Sequence, residues 1–118
     1  MTGVQTCALP ILEFPDLRAL VRAARERGVP TALDNTWGAG LAFDAFDLGD
    51  GLGVDISAHA LTKFPSGGGD VLMGAVTTRD HDLHLRLKGT HMRMGWGVGA
   101  NDVEAERKST RLNSSHRL

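Results

Sequence analysis

The sequence predicts an α/β fold in which short buried strands alternate with amphipathic helices. Three observations predict it: an amphipathic helix runs directly into a short apolar strand, a second strand follows a long loop, and a β-branched apolar run precedes another helix. Asp34 and Lys63 stand at the ends of the first two strands. Because ligands bind at the carboxyl ends of strands in open α/β sheets, we expect a binding site at these residues.

The first predicted element is a helix that begins after Asp16, which can cap its amino end. Apolar and basic side chains recur on opposite faces of this helix. The apolar face contains Leu17, Leu20, Val21 and Ala24, and the basic face contains Arg18, Arg22, Arg25 and Arg27. Gly28 supplies the stop and Pro30 blocks continuation. Residues 31–33 are then predicted to form a short buried strand that ends at Asp34.

A glycine-rich loop over 35–53, with a short amphipathic turn at 41–48, leads to the second strand, predicted over 54–60. Leu61, Thr62 and Lys63 follow directly after that strand. A second glycine-rich connection precedes an apolar, β-branched run at 71–78, which predicts a third strand.

A second helix is predicted over 81–94 and ends at the glycines that follow. We expect Met92 and Met94 to fill the core. The histidines of this helix indicate a solvated face rather than a metal site, because no fourth ligand stands at a suitable spacing. They are His81, His84 and His91.

The two ends of the chain do not follow this pattern. If residues 1–11 are back-translated into sequencing-library adapter DNA, the reverse complement of that DNA encodes the residues found at 107–116. We therefore expect residues 1–11 and 107–118 to be adapter-derived and disordered, and we leave them out of the fold prediction. Residues 12–106 are then predicted to be part of a larger domain.

Composition excludes several classes of function. The whole chain carries 13 basic and 14 acidic residues. Leaving out the two ends removes Cys7, the only cysteine, and four basic residues, which leaves a net charge of about −5. A mildly acidic segment argues against a nucleic-acid partner, and no apolar run approaches the length of a membrane span.

Asp34 and Lys63 are residue types that pyridoxal phosphate (PLP) requires. This cofactor needs an amine to hold its aldehyde, an anion to keep its ring nitrogen protonated, and donors for its phosphate. Lys63 lies between an apolar strand and a glycine-rich loop, so we expect it to be half-buried at the floor of a pocket. Each residue alone has an ordinary alternative: an exposed lysine after a strand, and an aspartate that forms a turn or cap.

Together with their neighbours, these residues match a known family. The matching segments are 32–37, 54–57, 60–63, 72–76 and 87–103, together with Gly67 and Asp70. In these segments the chain resembles the Cys/Met-metabolism PLP-dependent enzymes, and among them most closely the bacterial cystathionine β-lyases. The resemblance covers nearly all of residues 12–106.

The resemblance implies a fold and a set of site residues. The segment is expected to be a fragment of the large PLP-binding domain of a type I, aspartate aminotransferase-like fold, with a mostly parallel sheet and flanking helices. Lys63 corresponds to the catalytic lysine that binds PLP as a Schiff base, and Asp34 to the partner of the pyridine nitrogen. Thr62 corresponds to a hydroxyl that contacts the phosphate. Trp37 is expected beside the cofactor, with a position in the core as the alternative.

The resemblance also implies an activity: a carbon–sulfur lyase that converts cystathionine by β-elimination to homocysteine, pyruvate and ammonia in methionine biosynthesis. The substrate is then a small sulfur amino acid, with no nucleic-acid or membrane partner, and the intact protein is a cytoplasmic homotetramer. Cystathionine γ-synthase, cystathionine γ-lyase and methionine γ-lyase remain alternatives. Two further alternatives belong to other classes: an inactive partial chain, and a PLP-binding regulatory domain.

The sequence departs from the family pattern at three places. Ala60 stands where many relatives carry serine, which removes one phosphate donor. Residues 67–70 are Gly-Gly-Gly-Asp in place of the usual Gly-His-Ser-Asp. Residues 50–53 look like an insertion, which a surface loop absorbs at little cost.

Overall fold

The computed structural model describes residues 14–115, with side chains described for residues 14–107. Helix α1 (Leu17–Glu26) precedes strands β1 (Ala32–Asp34), β2 (Ile56–Ala60) and β3 (Gly74–Thr77), and helices α2 (His81–Arg93) and α3 (Ala100–Ser115) follow. This order of elements confirms the predicted α/β class.

Helix α1 begins and ends where the sequence predicts. The Asp16 side chain accepts a hydrogen bond from the Ala19 backbone N–H at 2.9 Å and so caps the amino end. Gly28 adopts a φ of +63°, and the N–H groups of Gly28 and Val29 donate to the last carbonyls of the helix. This glycine-based cap turns the chain directly towards β1.

The three strands form one mixed sheet in the order β1-β2-β3. Strand β1 runs parallel to β2, and Asp34 is in register with Ala58. Strand β3 runs antiparallel to β2, and Gly74 is in register with Ala60. An antiparallel partner is possible here because residues 61–73 form turns and no helix, whereas a parallel partner needs a long crossover.

The predicted strands at 54–60 and 71–78 are each too long at their amino ends, because β2 begins at Ile56 and β3 at Gly74. Val54 and Val71 are nevertheless buried, at 6% and 3% exposure. Their apolar character therefore reports burial in the core rather than membership of a strand. The Val54 N–H, for example, donates to the Ala45 carbonyl of the preceding loop at 2.9 Å.

The segment that looks like an insertion, 50–53, contributes one residue to the core. Leu52 is 6% exposed and belongs to the buried cluster that also contains Val21, Ala45 and Val54. Arg18 of α1 forms an ion pair with Asp50, and Arg25 donates to the Gly51 carbonyl at 2.7 Å. This segment is therefore anchored to α1 rather than free at the surface.

Helix α2 is capped by Asp80, whose carboxylate accepts the Leu83 N–H at 2.7 Å. The helix is confirmed, but the predicted core positions of Met92 and Met94 are wrong, because these side chains are 71% and 59% exposed. The apolar character of these side chains predicted burial, whereas no residue of α2 is buried in the described part of the chain.

Helix α3 is not predicted by the sequence, because the glycines at 95–99 end the apolar pattern before it. It continues through Ser115 and so includes residues 107–115, for which the sequence predicts disorder. Residues 1–11 and 116–118 lie outside the described residues, and the adapter origin of both ends stays a prediction. Among the described helices, none combines the length and apolarity needed to cross a membrane.

Candidate active site at the carboxyl ends of β1 and β2

Asp34, the last residue of β1, starts a tight turn. Its Oδ1 accepts two hydrogen bonds from Thr36, one from the backbone N–H at 3.0 Å and one from the hydroxyl at 2.6 Å. This is the local pattern by which an aspartate holds the backbone two residues later. The second carboxylate oxygen, Oδ2, receives no hydrogen bond from residues 14–107, and Asp34 is exposed.

Thr36 joins this turn to β2. Its side chain is buried, and its Oγ1 accepts the N–H of Ala60, the last residue of β2, at 2.8 Å. The Asn35 N–H donates to the Ala58 carbonyl at 2.8 Å and extends the parallel pairing past the end of β1. The carboxyl ends of the two parallel strands are thus held together by direct hydrogen bonds.

Lys63 lies in the turn that follows β2. Its N–H donates to the Ala60 carbonyl at 3.1 Å, and the Ser66 hydroxyl contacts the Thr62 and Lys63 carbonyls, each at 3.2 Å. The turn therefore fixes the Lys63 backbone relative to the end of β2. The Lys63 amine makes no hydrogen bond or ion pair with residues 14–107.

The expectation that Lys63 is half-buried is wrong, because its side chain is exposed. The apolar strand before Lys63 predicted burial, but the turn carries the lysine beyond the sheet. The glycines at 67–69 have no side chains to cover it, and Gly67 and Gly69 adopt positive φ angles of 69° that favour glycine.

Thr62 is half-buried, and its N–H donates to the Met73 carbonyl at 3.3 Å, which ties the Lys63 turn to the chain just before β3. Its hydroxyl has no hydrogen-bond partner within residues 14–107. A hydroxyl without an internal partner beside Lys63 is a donor that an anionic ligand group can use.

Trp37 and Phe64 bring the two turns into contact. Their ring centroids lie 5.7 Å apart at an interplanar angle of 57°. Trp37 is 69% exposed, which excludes the alternative of a core tryptophan in the described structure. Because Trp37 follows Asp34 by three positions and Phe64 follows Lys63 by one, the ring contact places both turns on the same edge of the sheet.

Sequence reasoning assigned no role to Thr36 or Phe64. The spacing of Asp34 and Thr36 is a signal that could have identified the turn, since aspartate hydrogen-bonds the backbone two residues later. No comparable signal exists for Phe64, because its contact with Trp37 depends on how the sheet brings the two turns together.

A cleft elsewhere in the described chain does not include the candidate site residues. A cleft of about 260 Å³ lies between the end of α1 and the amino ends of the strands, lined by residues that include Arg25 and Asp55. It contains none of Asp34, Thr62 or Lys63. Within the described residues, no three side chains of His, Cys, Asp or Glu are grouped to hold a metal ion.

The chemistry of the side chains at this edge fits PLP. Lys63 offers an exposed amine with no internal partner, Asp34 offers a carboxylate oxygen that accepts no hydrogen bond from residues 14–107, and Thr62 offers a hydroxyl. These are the groups that the aldehyde, the ring nitrogen and the phosphate of the cofactor require.

Comparison with known proteins identifies similar chains. The family described as Cys/Met metabolism PLP-dependent enzyme matches residues 3–105. The chain is 36% identical over 93 residues to a cystathionine beta-lyase of Bordetella avium, and the aligned region covers 79% of this chain and 22% of that protein. It is 31% identical over 88 residues to a cystathionine gamma-lyase of Dictyostelium discoideum, and the aligned region covers 75% of this chain and 22% of that protein.

A solved structure has a similar fold. The apo crystal structure of a methionine gamma lyase from Micromonospora echinospora matches with a TM-score of 0.71 and 33% sequence identity. The match covers 86% of this chain and 27% of the solved chain. The chain therefore spans about a quarter of the length of the relatives that it matches, and those relatives are named for different reactions.

Proposed function

Because the chain belongs to the Cys/Met metabolism PLP-dependent enzyme family, we propose that it forms part of a carbon–sulfur lyase that cleaves cystathionine by β-elimination. The products are homocysteine, pyruvate and ammonia. The fold is a fragment of the type I fold of PLP-dependent enzymes. The observation that carries the proposal is that the Asp34 turn and the Lys63 turn contact each other. The contacts are the hydrogen bonds of the Thr36 hydroxyl with Asp34 and Ala60 and the ring contact between Trp37 and Phe64.

In the intact protein, the longer chain of which residues 12–106 are proposed to be part, Lys63 would hold the aldehyde of PLP and Asp34 would face the ring nitrogen. Thr62 would contact the phosphate, and Trp37 would lie beside the cofactor. Bound PLP supplies the electron sink for the carbanion that forms at the substrate α-carbon.

Asp34 acts as an anion of fixed orientation. Its Oδ1 is occupied by the two hydrogen bonds from Thr36, so its Oδ2 would be the atom to accept a hydrogen bond from the protonated ring nitrogen. An opposite charge at hydrogen-bond distance favours the protonated form of that nitrogen. Asp34 therefore keeps the ring in its more electron-withdrawing form.

Lys63 acts as the base. With the substrate amine in its place on the cofactor, the Nζ of Lys63 would take the proton from the substrate α-carbon. The Cβ–S bond would break with its electron pair going to sulfur, and Nζ would return a proton to the departing homocysteine thiolate. The remaining three carbons would leave as an enamine, which water converts to pyruvate and ammonia.

The proposal of β-elimination is supported by the similarity to the Bordetella avium cystathionine beta-lyase. Cystathionine γ-synthase and methionine γ-lyase activities are the remaining alternatives within the family. In keeping with the family resemblance, we assign the intact protein to the cytoplasm as a homotetramer.

A second proposal concerns the polypeptide by itself. We expect the 118-residue chain alone to lack lyase activity, because Lys63 and Trp37 are exposed in it. Catalysis at such a site requires that water be excluded from the reacting groups, and no described residue covers the Lys63 amine. A PLP-binding regulator is the third candidate, and it requires a fused DNA-binding segment.

The reaction is tested by the keto acid that the intact protein releases from cystathionine. β-Elimination yields pyruvate with homocysteine, whereas γ-elimination yields 2-oxobutyrate with cysteine, and mass spectrometry separates the two keto acids. We expect pyruvate as the main product with the intact protein, and neither keto acid with the 118-residue chain. A predominance of 2-oxobutyrate would show that the β-lyase assignment is wrong.

A further inference from the structure

We propose that Thr36 is a positioning residue that sets the Asp34 carboxylate against the ring nitrogen of PLP. The inference rests on the proposed function, since it requires that Asp34 faces the cofactor. In the proposed arrangement, Thr36 itself touches neither the substrate nor the cofactor. It acts by fixing which carboxylate oxygen of Asp34 is available.

The geometry around Thr36 leaves its side chain no freedom. The residue is 7% exposed, and its Oγ1 lies 2.6 Å from Asp34 Oδ1 and 2.8 Å from the backbone nitrogen of Ala60. The Ala60 N–H can only donate, so it occupies an acceptor position of the hydroxyl. The hydroxyl proton is therefore directed towards Asp34, and Thr36 is the donor in the shorter bond.

The two donors of Thr36 converge on the same oxygen. The backbone N–H reaches Asp34 Oδ1 at 3.0 Å and the hydroxyl reaches it at 2.6 Å, which is the length of a charge-assisted hydrogen bond. The backbone donor alone leaves the carboxylate free to rotate about its Cβ–Cγ bond. The second donor holds Oδ1 in the turn and so directs Oδ2 away from it.

Thr36 also connects the anion to the segment that carries the amine. The Ala60 N–H donates to Thr36, and the Ala60 carbonyl accepts the Lys63 N–H at 3.1 Å. One residue at the end of β2 is thus bonded on one side to the Asp34 turn and on the other to the Lys63 turn. The positions of the acid and the amine are therefore coupled through Thr36 and Ala60.

The test replaces Thr36 in the intact protein loaded with PLP whose ring nitrogen is labelled with ¹⁵N. Thr36→Val removes the hydroxyl and keeps the shape of the side chain, whereas Thr36→Ser keeps the hydroxyl. Thr90→Val is the matched control, because the Thr90 hydroxyl bonds the Arg86 carbonyl at 3.0 Å on the exposed helix α2. The ¹⁵N chemical shift reports protonation of the ring nitrogen, and absorbance titration reports the affinity for PLP.

In Thr36→Val we expect the ¹⁵N shift to move towards that of the unprotonated ring. The dissociation constant for PLP should rise about tenfold, as expected for loss of one charge-assisted hydrogen bond. Thr36→Ser and Thr90→Val should match the wild type in both measurements. If Thr36→Val does not fold, Thr36→Cys replaces it and should give an intermediate shift, because a thiol is a weaker donor.

A double variant shows whether Thr36 acts through Asp34. In an Asp34→Asn background, Thr36→Val should change the ¹⁵N shift no further. The positioning role is overturned if Thr36→Val changes the ¹⁵N shift equally in both backgrounds, or if Thr36→Val alone leaves the shift unchanged. The proposed function still stands in either case, provided that PLP is attached to Lys63 in the wild-type protein. A wild-type protein that binds no PLP overturns both proposals.

Discussion

Replacing Lys63 with alanine should abolish the borohydride-stable attachment of PLP to the intact protein. Reduction fixes the cofactor to the amine that holds its aldehyde, and peptide mapping by mass spectrometry then identifies the labelled residue. Lys63 is expected to carry the label because its amine has no partner within residues 14–107 and lies in the turn bonded to the end of β2. The visible absorption of lysine-bound PLP should disappear with it.

Lys88→Ala provides the matched control for Lys63. Lys88 is also an exposed lysine, but it lies on α2, outside the turns that meet at the sheet edge. Its replacement should leave both the label and the absorption unchanged. Full labelling of the Lys63→Ala variant at another lysine would remove Lys63 from the site.

Replacing Asp34 with asparagine should lower kcat/KM for cystathionine by about a hundredfold or more, the range seen when a group that stabilises charge in the transition state is removed. Asparagine keeps an oxygen to accept the two hydrogen bonds from Thr36, so the turn should persist. It offers no negative charge to the ring nitrogen, and the ring then loses its preference for the protonated form.

Asp47→Asn tests whether such an effect is specific to the site. Asp47 makes a similar local hydrogen bond, from the N–H two residues later at 3.1 Å, but in the loop before β2. Its replacement should leave kcat/KM within about twofold of the wild type, as expected for an exposed position away from the site. Equal losses in both variants would mean that the Asp34 effect comes from damage to a turn.

Much of the fold follows from local signals in the sequence. The cap at Asp16, the glycine stop at Gly28 and the helical spacing between them define α1 without any tertiary information. The end of β1 at Asp34 is equally local, because a short polar turn follows an apolar strand. The class of the fold, helix α1 and the carboxyl end of β1 are therefore predictable from the sequence.

The wrong predictions concern residues whose burial or secondary structure depends on tertiary contacts. Val54 and Val71 are buried outside the strands, so their apolarity predicted strands that begin too early. Met92 on α2 and Met94 directly after it are apolar, but both side chains are exposed in the described chain. Helix α3 follows a glycine-rich segment, which in the sequence indicates the end of the preceding helix and not the start of another.

The candidate site likewise has some features that the sequence indicates and others that depend on the tertiary structure. Resemblance to a family identified Asp34, Thr62 and Lys63 as residue types in a motif, and the roles assigned to them stay predictions. The hydrogen bond between Thr36 and Ala60 joins residues 24 positions apart, and no local pattern predicts it. The exposure of Lys63 likewise depends on what covers the sheet edge, which is a property of the tertiary structure.

A crystal structure of the intact protein with PLP tests the central claim most directly, namely that Asp34 and Lys63 hold opposite ends of one cofactor ring. We expect continuous electron density from Lys63 Nζ to the aldehyde carbon, and Asp34 Oδ2 at about 2.8 Å from the ring nitrogen, the length of a charge-assisted hydrogen bond. PLP bound elsewhere, or a ring nitrogen facing a residue other than Asp34, would contradict the claim.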